Sequence, residues 1–135
     1  MTPEKLCELA IDAMQHAYVP YSGYKVGAAL LCKDGTVYQG CNIENASYSP
    51  TNCAERTAFF KAVSEGQREF AAIAVCGGKD GILTGAFPPC GVCRQVMREF
   101  CDDAFTVYLV TGEGSYETLT LAQLLPLGFG PDNLH

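Results

Sequence analysis

The chain begins with apolar residues at helical spacing. Leu6, Leu9, Ala10, Ala13, Met14 and Ala17 recur three or four positions apart behind Thr2-Pro3-Glu4, and Pro20 closes the pattern. A capping threonine, a proline at the first helical position and an acid in the first turn all favour a helix start there. The period then changes. "KVGAALLC" (25–32) and "TVYQGC" (36–41) are short apolar or β-branched runs joined by Lys33-Asp34-Gly35, which predicts a β-hairpin with glycine in its turn. A polar loop over 42–52 leads to an alanine-rich helical pattern near 54–64, stopped at Gly66. "AAIAVC" (71–76) reads as a buried strand ended by Gly77-Gly78. Beyond Pro88-Pro89 the pattern predicts a helix over 91–100, a strand "FTVYLV" (105–110), a short strand "YETLT" (116–120) and a brief helix capped by Thr120 and halted by Pro126.

Strand, helix, strand, helix, strand in the middle of this order implies parallel strands with right-handed crossovers and helices on the sheet faces. The N-terminal hairpin and the last strand add antiparallel pairs. The expected fold class is therefore α/β, a three-layer α/β/α arrangement with a mixed sheet of about five strands, formed by a single domain over residues 1–135. In such a sheet, helices that follow successive parallel strands begin at the same edge. Cys53 opens one of these helices, and Pro89-Cys90-Gly91-Val92-Cys93 opens the next.

Charge and composition narrow the partners. The net charge is −6 and the nine basic residues are scattered, so the electrostatic footprint for a polynucleotide is missing. No run of about 18 apolar residues is present and the first residues are acidic, which points to neither a membrane span nor a secretion signal. A cytoplasmic protein acting on a small solute is expected. Eight cysteines without a secretion signal suggest metal or catalytic chemistry before disulfides. Cys7, Cys32, Cys41, Cys76 and Cys101 lie in or beside apolar segments and read as small core hydrophobes.

Cys53, Cys90 and Cys93 differ, because topology brings them to adjoining helix N-termini, where partial positive charge favours thiolates. Three sulfur ligands suit zinc and leave a tetrahedral ion one open position, the feature that separates catalytic from structural sites. The only histidines, His16 and His135, offer no good fourth ligand. Water in that position acquires a pKa near 7. Glu55, two residues after Cys53, is placed for general acid-base work provided that Cys53 occupies the helix cap. Three thiolates around Zn2+ sum to −1, so Arg56 reads as a cation that donates to ligand sulfur and restores the metal's pull.

Cys53-Ala54-Glu55 together with Pro89-Cys90-x-x-Cys93 matches the zinc-deaminase signature. With "VPYSGYKVGAAL", "GCNIENASYSPTNCAERTA" and "PPCGVCRQVMREF", the chain resembles the small homotetrameric cytidine deaminases over nearly its whole length. The resemblance implies hydrolytic deamination of cytidine and deoxycytidine to uridine and deoxyuridine, with zinc-bound hydroxide as nucleophile and Glu55 as proton shuttle. It assigns one zinc per subunit to Cys53, Cys90 and Cys93, sugar hydroxyls to Asn42 and Glu44, and the pyrimidine carbonyl to the Ala54 N–H. It further implies a tetramer with shared active sites, in which Tyr48 and Phe129 offer aromatic faces, and it places Gln95 where it steadies Arg56. Tyr24 stands where the family usually has phenylalanine, adding a hydroxyl to the pocket wall, and Leu127-Gly128 precedes Phe129 where smaller residues are usual.

Three other readings remain open at this point. One is a deaminase of another amine-bearing ring, such as a nucleoside antibiotic or a cytosine nucleotide. Another is a non-catalytic module whose zinc only holds the fold. The third is a thiol-disulfide protein built on Cys90-x-x-Cys93, which leaves Cys53 and Glu55 without a role.

Overall fold

A computed structural model describes residues 1–134; His135 lies outside the described residues. Helix α1 (Pro3–Met14) starts as expected, with the Thr2 hydroxyl accepting from the Lys5 N–H at 3.1 Å. It ends before Ala17, earlier than the apolar spacing predicts. Three successive i to i−3 hydrogen bonds tighten the chain at residues 15–17, and Tyr18 then leaves the helix to pair with a different segment. Its N–H donates to Asn42 and its carbonyl accepts from Glu44, at 3.0 and 2.9 Å. That bridge brings residues 18–24 beside 42–44, where a pocket wall is needed.

The sheet comprises β1 (Tyr24–Cys32), β2 (Val37–Cys41), β3 (Phe70–Lys79), β4 (Thr106–Gly112) and β5 (Ser115–Thr120), in the spatial order β2-β1-β3-β4-β5. β1 is antiparallel to both β2 and β3, β4 is antiparallel to β5, and only β3 and β4 form a neighbouring parallel pair. The hairpin thus ends the sheet with β2 at its edge, and β1 lies between the two strands whose crossover contains helix α2 (Ala54–Ser64). Since β2 and β3 still run the same way, α2 and helix α3 (Gly91–Phe100) begin at the same sheet edge.

Alternation along β1 divides the core into two layers. Val26, Ala28 and Leu30 pack against Ala54, Ala58, Phe59 and Ala62 of α2, together with Met97 of α3 and Leu121 of the short helix α4 (Leu121–Leu124). On the opposite face, Ala29, Ala72, Ala74 and Cys76 meet Leu6, Cys7, Ala10 and Met14 of α1. The arrangement is the expected three-layer α/β/α fold with a mixed five-stranded sheet. Phe59 stacks on Phe100 with ring centroids 6.1 Å apart and so ties α2 to α3.

β3 runs three residues beyond the predicted 71–76, because Gly77-Gly78 is extended chain rather than a turn. A Cβ at Gly78 would meet the Ile82 carbonyl oxygen at 1.9 Å, and one at Gly77 would meet the Phe87 ring at 2.9 Å. Both glycines make room for the 80–88 loop to fold back over the strand. Gly40 plays the same part for α2, since a Cβ there would lie 2.4 Å from the Ala54 carbonyl oxygen. Gly40→Ala is therefore expected to lift the start of α2 and to lower unfolding free energy by about 1–3 kcal/mol, measured by chemical denaturation. An unchanged midpoint would mean that α2 has slack over β2.

Candidate metal centre and active site

Residue 52 must leave the loop in extended conformation for Cys53 to serve as the N-cap of α2, and two contacts secure this. Asn52 exchanges backbone hydrogen bonds with Ile43, both at 2.9 Å. Its side-chain amide donates to Thr57 Oγ1, which donates in turn to the Cys53 carbonyl at 3.0 Å. Cys53 and Cys90 are the N-caps of α2 and α3, both in the β region, and Cys93 lies one turn into α3. Neither cap side chain accepts a backbone N–H of its own helix, so both sulfurs are free to turn toward each other. Cys53 Sγ is 3.9 Å from Cys90 Sγ, and Cys90 Sγ is 3.4 Å from Cys93 Sγ. All three lie within 4.8 Å of one another.

A tetrahedral zinc ion with Zn–S bonds near 2.3 Å spaces its sulfurs about 3.8 Å apart, so the cluster fits this metal closely. Among the described residues it is the only such group of metal-ligating side chains. The hydrogen bond from Cys93 and the guanidinium of Arg56 bring the Cys53 thiol down to about 5. That same bond, together with burial, pushes Cys93 up. One thiolate forms readily and a neighbour resists, and a central divalent cation is what makes the full set of thiolates tolerable. Arg56 donates to Cys53 Sγ at 3.1 Å, while its Nε is buried without a hydrogen-bond partner. The other five cysteines stand apart as expected, with burial raising the thiol pKa of each.

Glu55 is only 4% exposed. Burial pushes its carboxyl up to about 7, well placed for a group that must both accept and release a proton near neutrality. Glu55, Cys53, Cys90 and Ala54 line one cleft of about 210 Å³, a small-molecule site. Ala54 is the first residue of α2, so its N–H has no intrahelical acceptor. Tyr24, Asn42 and Phe87 line the same cleft.

Asn42 is locked in place: its Oδ1 accepts from the Val26 N–H at 2.9 Å and its Nδ2 donates to the Tyr24 carbonyl at 2.8 Å. One N–H of that amide remains for a ligand. Glu44 lies in the adjoining depression, which shares Ser22 and Thr51 with the cleft. Its carboxylate accepts from the backbone N–H of Tyr21 at 3.0 Å, from that of Ser22 at 3.1 Å, and from the Ser22 hydroxyl. These donors, led by the Ser22 hydroxyl, hold its pKa below the usual carboxylate value.

Tyr48, with φ of 59°, lines the depression beside Glu44, and neither it nor Phe129 lines the cleft itself; they are 74% and 58% exposed. Gln95 departs from expectation. Its amide donates to the Phe129 carbonyl at 2.8 Å instead of to Arg56, because the C-terminal tail returns across α3. Ser22, Val26, Thr51, Asn52, Phe87 and Pro88 also line the cleft and were not expected there, Phe87 being the aromatic among them. The signal for Phe87 was its place just before Pro88-Pro89-Cys90, together with Gly77, which admits its ring beside Tyr24, 6.3 Å between centroids.

Comparison with known proteins agrees with this geometry. The family described as "Cytidine and deoxycytidylate deaminase zinc-binding region" matches residues 1–109. A cytidine deaminase of Sporosarcina psychrophila is 54% identical over 134 residues, covering 99% of this chain and 96% of its own. One from Halalkalibacterium halodurans is 50% identical over 135 residues, covering 100% and 99% respectively. The crystal structure of cytidine deaminase from Burkholderia pseudomallei aligns with a TM-score of 0.88 at 49% identity, over 96% of this chain and 100% of that one.

Metal analysis of the purified protein should return about one zinc per chain. Cys53→Ala, Cys90→Ala and Cys93→Ala should each lose most of it, whereas Cys101→Ser should keep it. Full zinc content in any of the first three would remove that thiol from the centre.

Proposed function

The chain belongs to the cytidine and deoxycytidylate deaminase family, and from that premise we propose that it hydrolyses cytidine and deoxycytidine to uridine and deoxyuridine with release of ammonia. The observation that carries this reading is a three-sulfur cluster, with Cys53 and Cys90 on the wall of one small cleft, beside a buried carboxyl and a free helix N–H on that same cleft. Zinc, the cofactor of this family's conserved region, would be held by Cys53, Cys90 and Cys93, and when bound it supplies the Lewis acidity that brings the pKa of a water toward 7.

The remaining steps fall to the chain's own side chains. The Ala54 N–H donates a hydrogen bond to the pyrimidine carbonyl and sets the amino-bearing carbon against the sulfur cluster. Glu55 takes a proton from the attacking water and passes it to the ring nitrogen. It then carries the second proton to the departing amine, so that water and cytidine leave as uridine and ammonia. Its burial supports this shuttle, because a carboxyl poised near neutrality loses little in either direction. Arg56, donating to Cys53 Sγ, would draw charge from that sulfur and so leave a bound metal more electrophilic.

The second N–H of Asn42 and the remaining lone pair of Glu44 would receive sugar hydroxyls. With three donors already on the Glu44 carboxylate, one further hydrogen bond completes it. Its negative charge near the sugar disfavours a 5′-phosphate, so free nucleosides are the proposed substrates. Tyr24 and Phe87 give the cleft its aromatic side.

Residues 1–135 are proposed to act as one domain in a cytoplasmic homotetramer. No described helix is long and apolar enough to cross a membrane. Tyr18, Tyr21, Tyr48, Leu127 and Phe129 are exposed large hydrophobic side chains on the single chain, which supports burial between subunits and aromatic contacts lent to neighbouring clefts. Gln95, by holding the Phe129 carbonyl, would set the tail that carries this ring.

Ammonia release should be fast with cytidine and deoxycytidine and slow with deoxycytidylate, adenosine or blasticidin; another order of preference would reject the substrate assignment. Glu55→Gln should retain zinc and lose at least ~10²-fold in turnover, the scale for removing a general acid-base group. Arg56→Ala should also retain zinc and turn over more slowly, and wild-type kinetics in that variant would show that the guanidinium does not tune the metal.

A further inference from the structure

Helix α3 presents two of the three clustered thiols, and the residue that follows them reaches in two directions. Arg94 donates from Nε to the Pro89 carbonyl at 2.8 Å and from a terminal guanidinium nitrogen to the Leu124 carbonyl at 2.7 Å. Pro89 is fully buried and directly precedes Cys90. The backbone N–H of Arg94 goes to Cys90, so the side chain supplies a separate bond to the residue before it. Leu124 ends α4, where carbonyls have no intrahelical donor.

α4 is a firm post for such a bond. Thr120 and Gln123 close a capping box at its start, and Leu121 is buried in the core. The same face of contact continues along α3, with Gln95 on the Phe129 carbonyl and the Arg98 side chain 3.1 Å from where a Gly130 Cβ would lie.

We infer that Arg94 is a positioning residue for the metal centre: by clamping the Pro89 carbonyl to the end of α4, it fixes the turn that presents Cys90 and makes metal retention depend on the C-terminal segment. This rests on the assignment of zinc to Cys53, Cys90 and Cys93. A planar guanidinium can serve two carbonyls at fixed angles, whereas a lysine ammonium is a point charge on a flexible stem. Contacts of this kind, one step removed from the ligands, commonly change metal affinity by about 10–100-fold. Coupling is also reciprocal, so bound metal must steady the C-terminal segment as much as that segment steadies the metal.

The test compares zinc-loaded wild type, Arg94→Gln and Arg94→Lys with Arg68→Gln, whose guanidinium donates to the Val63 and Gln67 carbonyls instead. Three quantities are read: zinc release to a chromogenic chelator, the ligand-field bands of the cobalt-exchanged protein, and the thermal midpoint. Both Arg94 variants should load one ion, release it about 10–100-fold faster, and show shifted cobalt bands that Arg68→Gln does not show at a similar midpoint. Release and bands like wild type, or changes that follow the midpoint equally in Arg68→Gln, would overturn the inference.

A second measurement needs no variant. Zinc removal from wild type should speed proteolysis within residues 121–134 ahead of other sites. Cleavage there that ignores the metal would also overturn the inference. A wild type that binds no zinc would instead sink the assignment on which it rests.

Discussion

Everything at the cleft depends on two helix starts being held within sulfur-contact distance of each other. Cys53 and Cys90 are 37 residues apart in the chain and 3.9 Å apart in space. Like charges that close repel unless a cation sits among them, and the protein accepts that repulsion at the one edge where helix N-termini and Arg56 oppose it. The same placement explains Glu55. Burial, and the neighbouring Cys53, keep this carboxyl from ionising early, and in the proposed mechanism the proton it holds is available to the reaction. Metal affinity and acid-base chemistry thus arise from a single electrostatic compromise.

Close packing is what delivers that geometry. α2 lies directly on Gly40, α1 lies against Gly27, Ala29 and Ala74, and the 80–88 loop lies on Gly77 and Gly78. Larger side chains at these points would raise the helices and loop by an ångström or more, and catalytic groups tolerate errors of about that size poorly. The aromatic contact between Phe59 and Phe100 keeps the α2 and α3 frame together away from the cysteines. The small residues are therefore part of the active site in effect, although none of them touches substrate.

Much of this was legible from the sequence. The helix at 54–64 is marked by an alanine-rich period stopped at Gly66 and the one at 91–100 by its start behind Pro88-Pro89, and local signals of that kind survive folding; the three thiols and Glu55 followed from where those helices had to begin. What escaped was set by non-local contacts. Ala17 fits a helical period, but the chain pairs Tyr18 with Asn42 and Glu44 instead. Gly77-Gly78 resembles a turn and is strand, because the reason for glycine is a loop lying above it. The insertion of β1 between β2 and β3 leaves no trace in periodicity. Gln95 was placed by likeness to a family pattern, and the return of the tail across α3 gave its amide another partner.

The inserted strand has a consequence for how the molecule is made. Cys90 and Cys93 are neighbours along the chain, so a newly synthesised segment can offer two thiols at once, but Cys53 reaches them only after residues 24–32 have found residues 70–79. That search spans some four dozen positions and belongs to the slow class of folding events. Secure capture of the ion is consequently a late event that certifies the whole sheet, and a chain arrested with its hairpin undocked would hold metal by two sulfurs at most and surrender it to any competing scavenger.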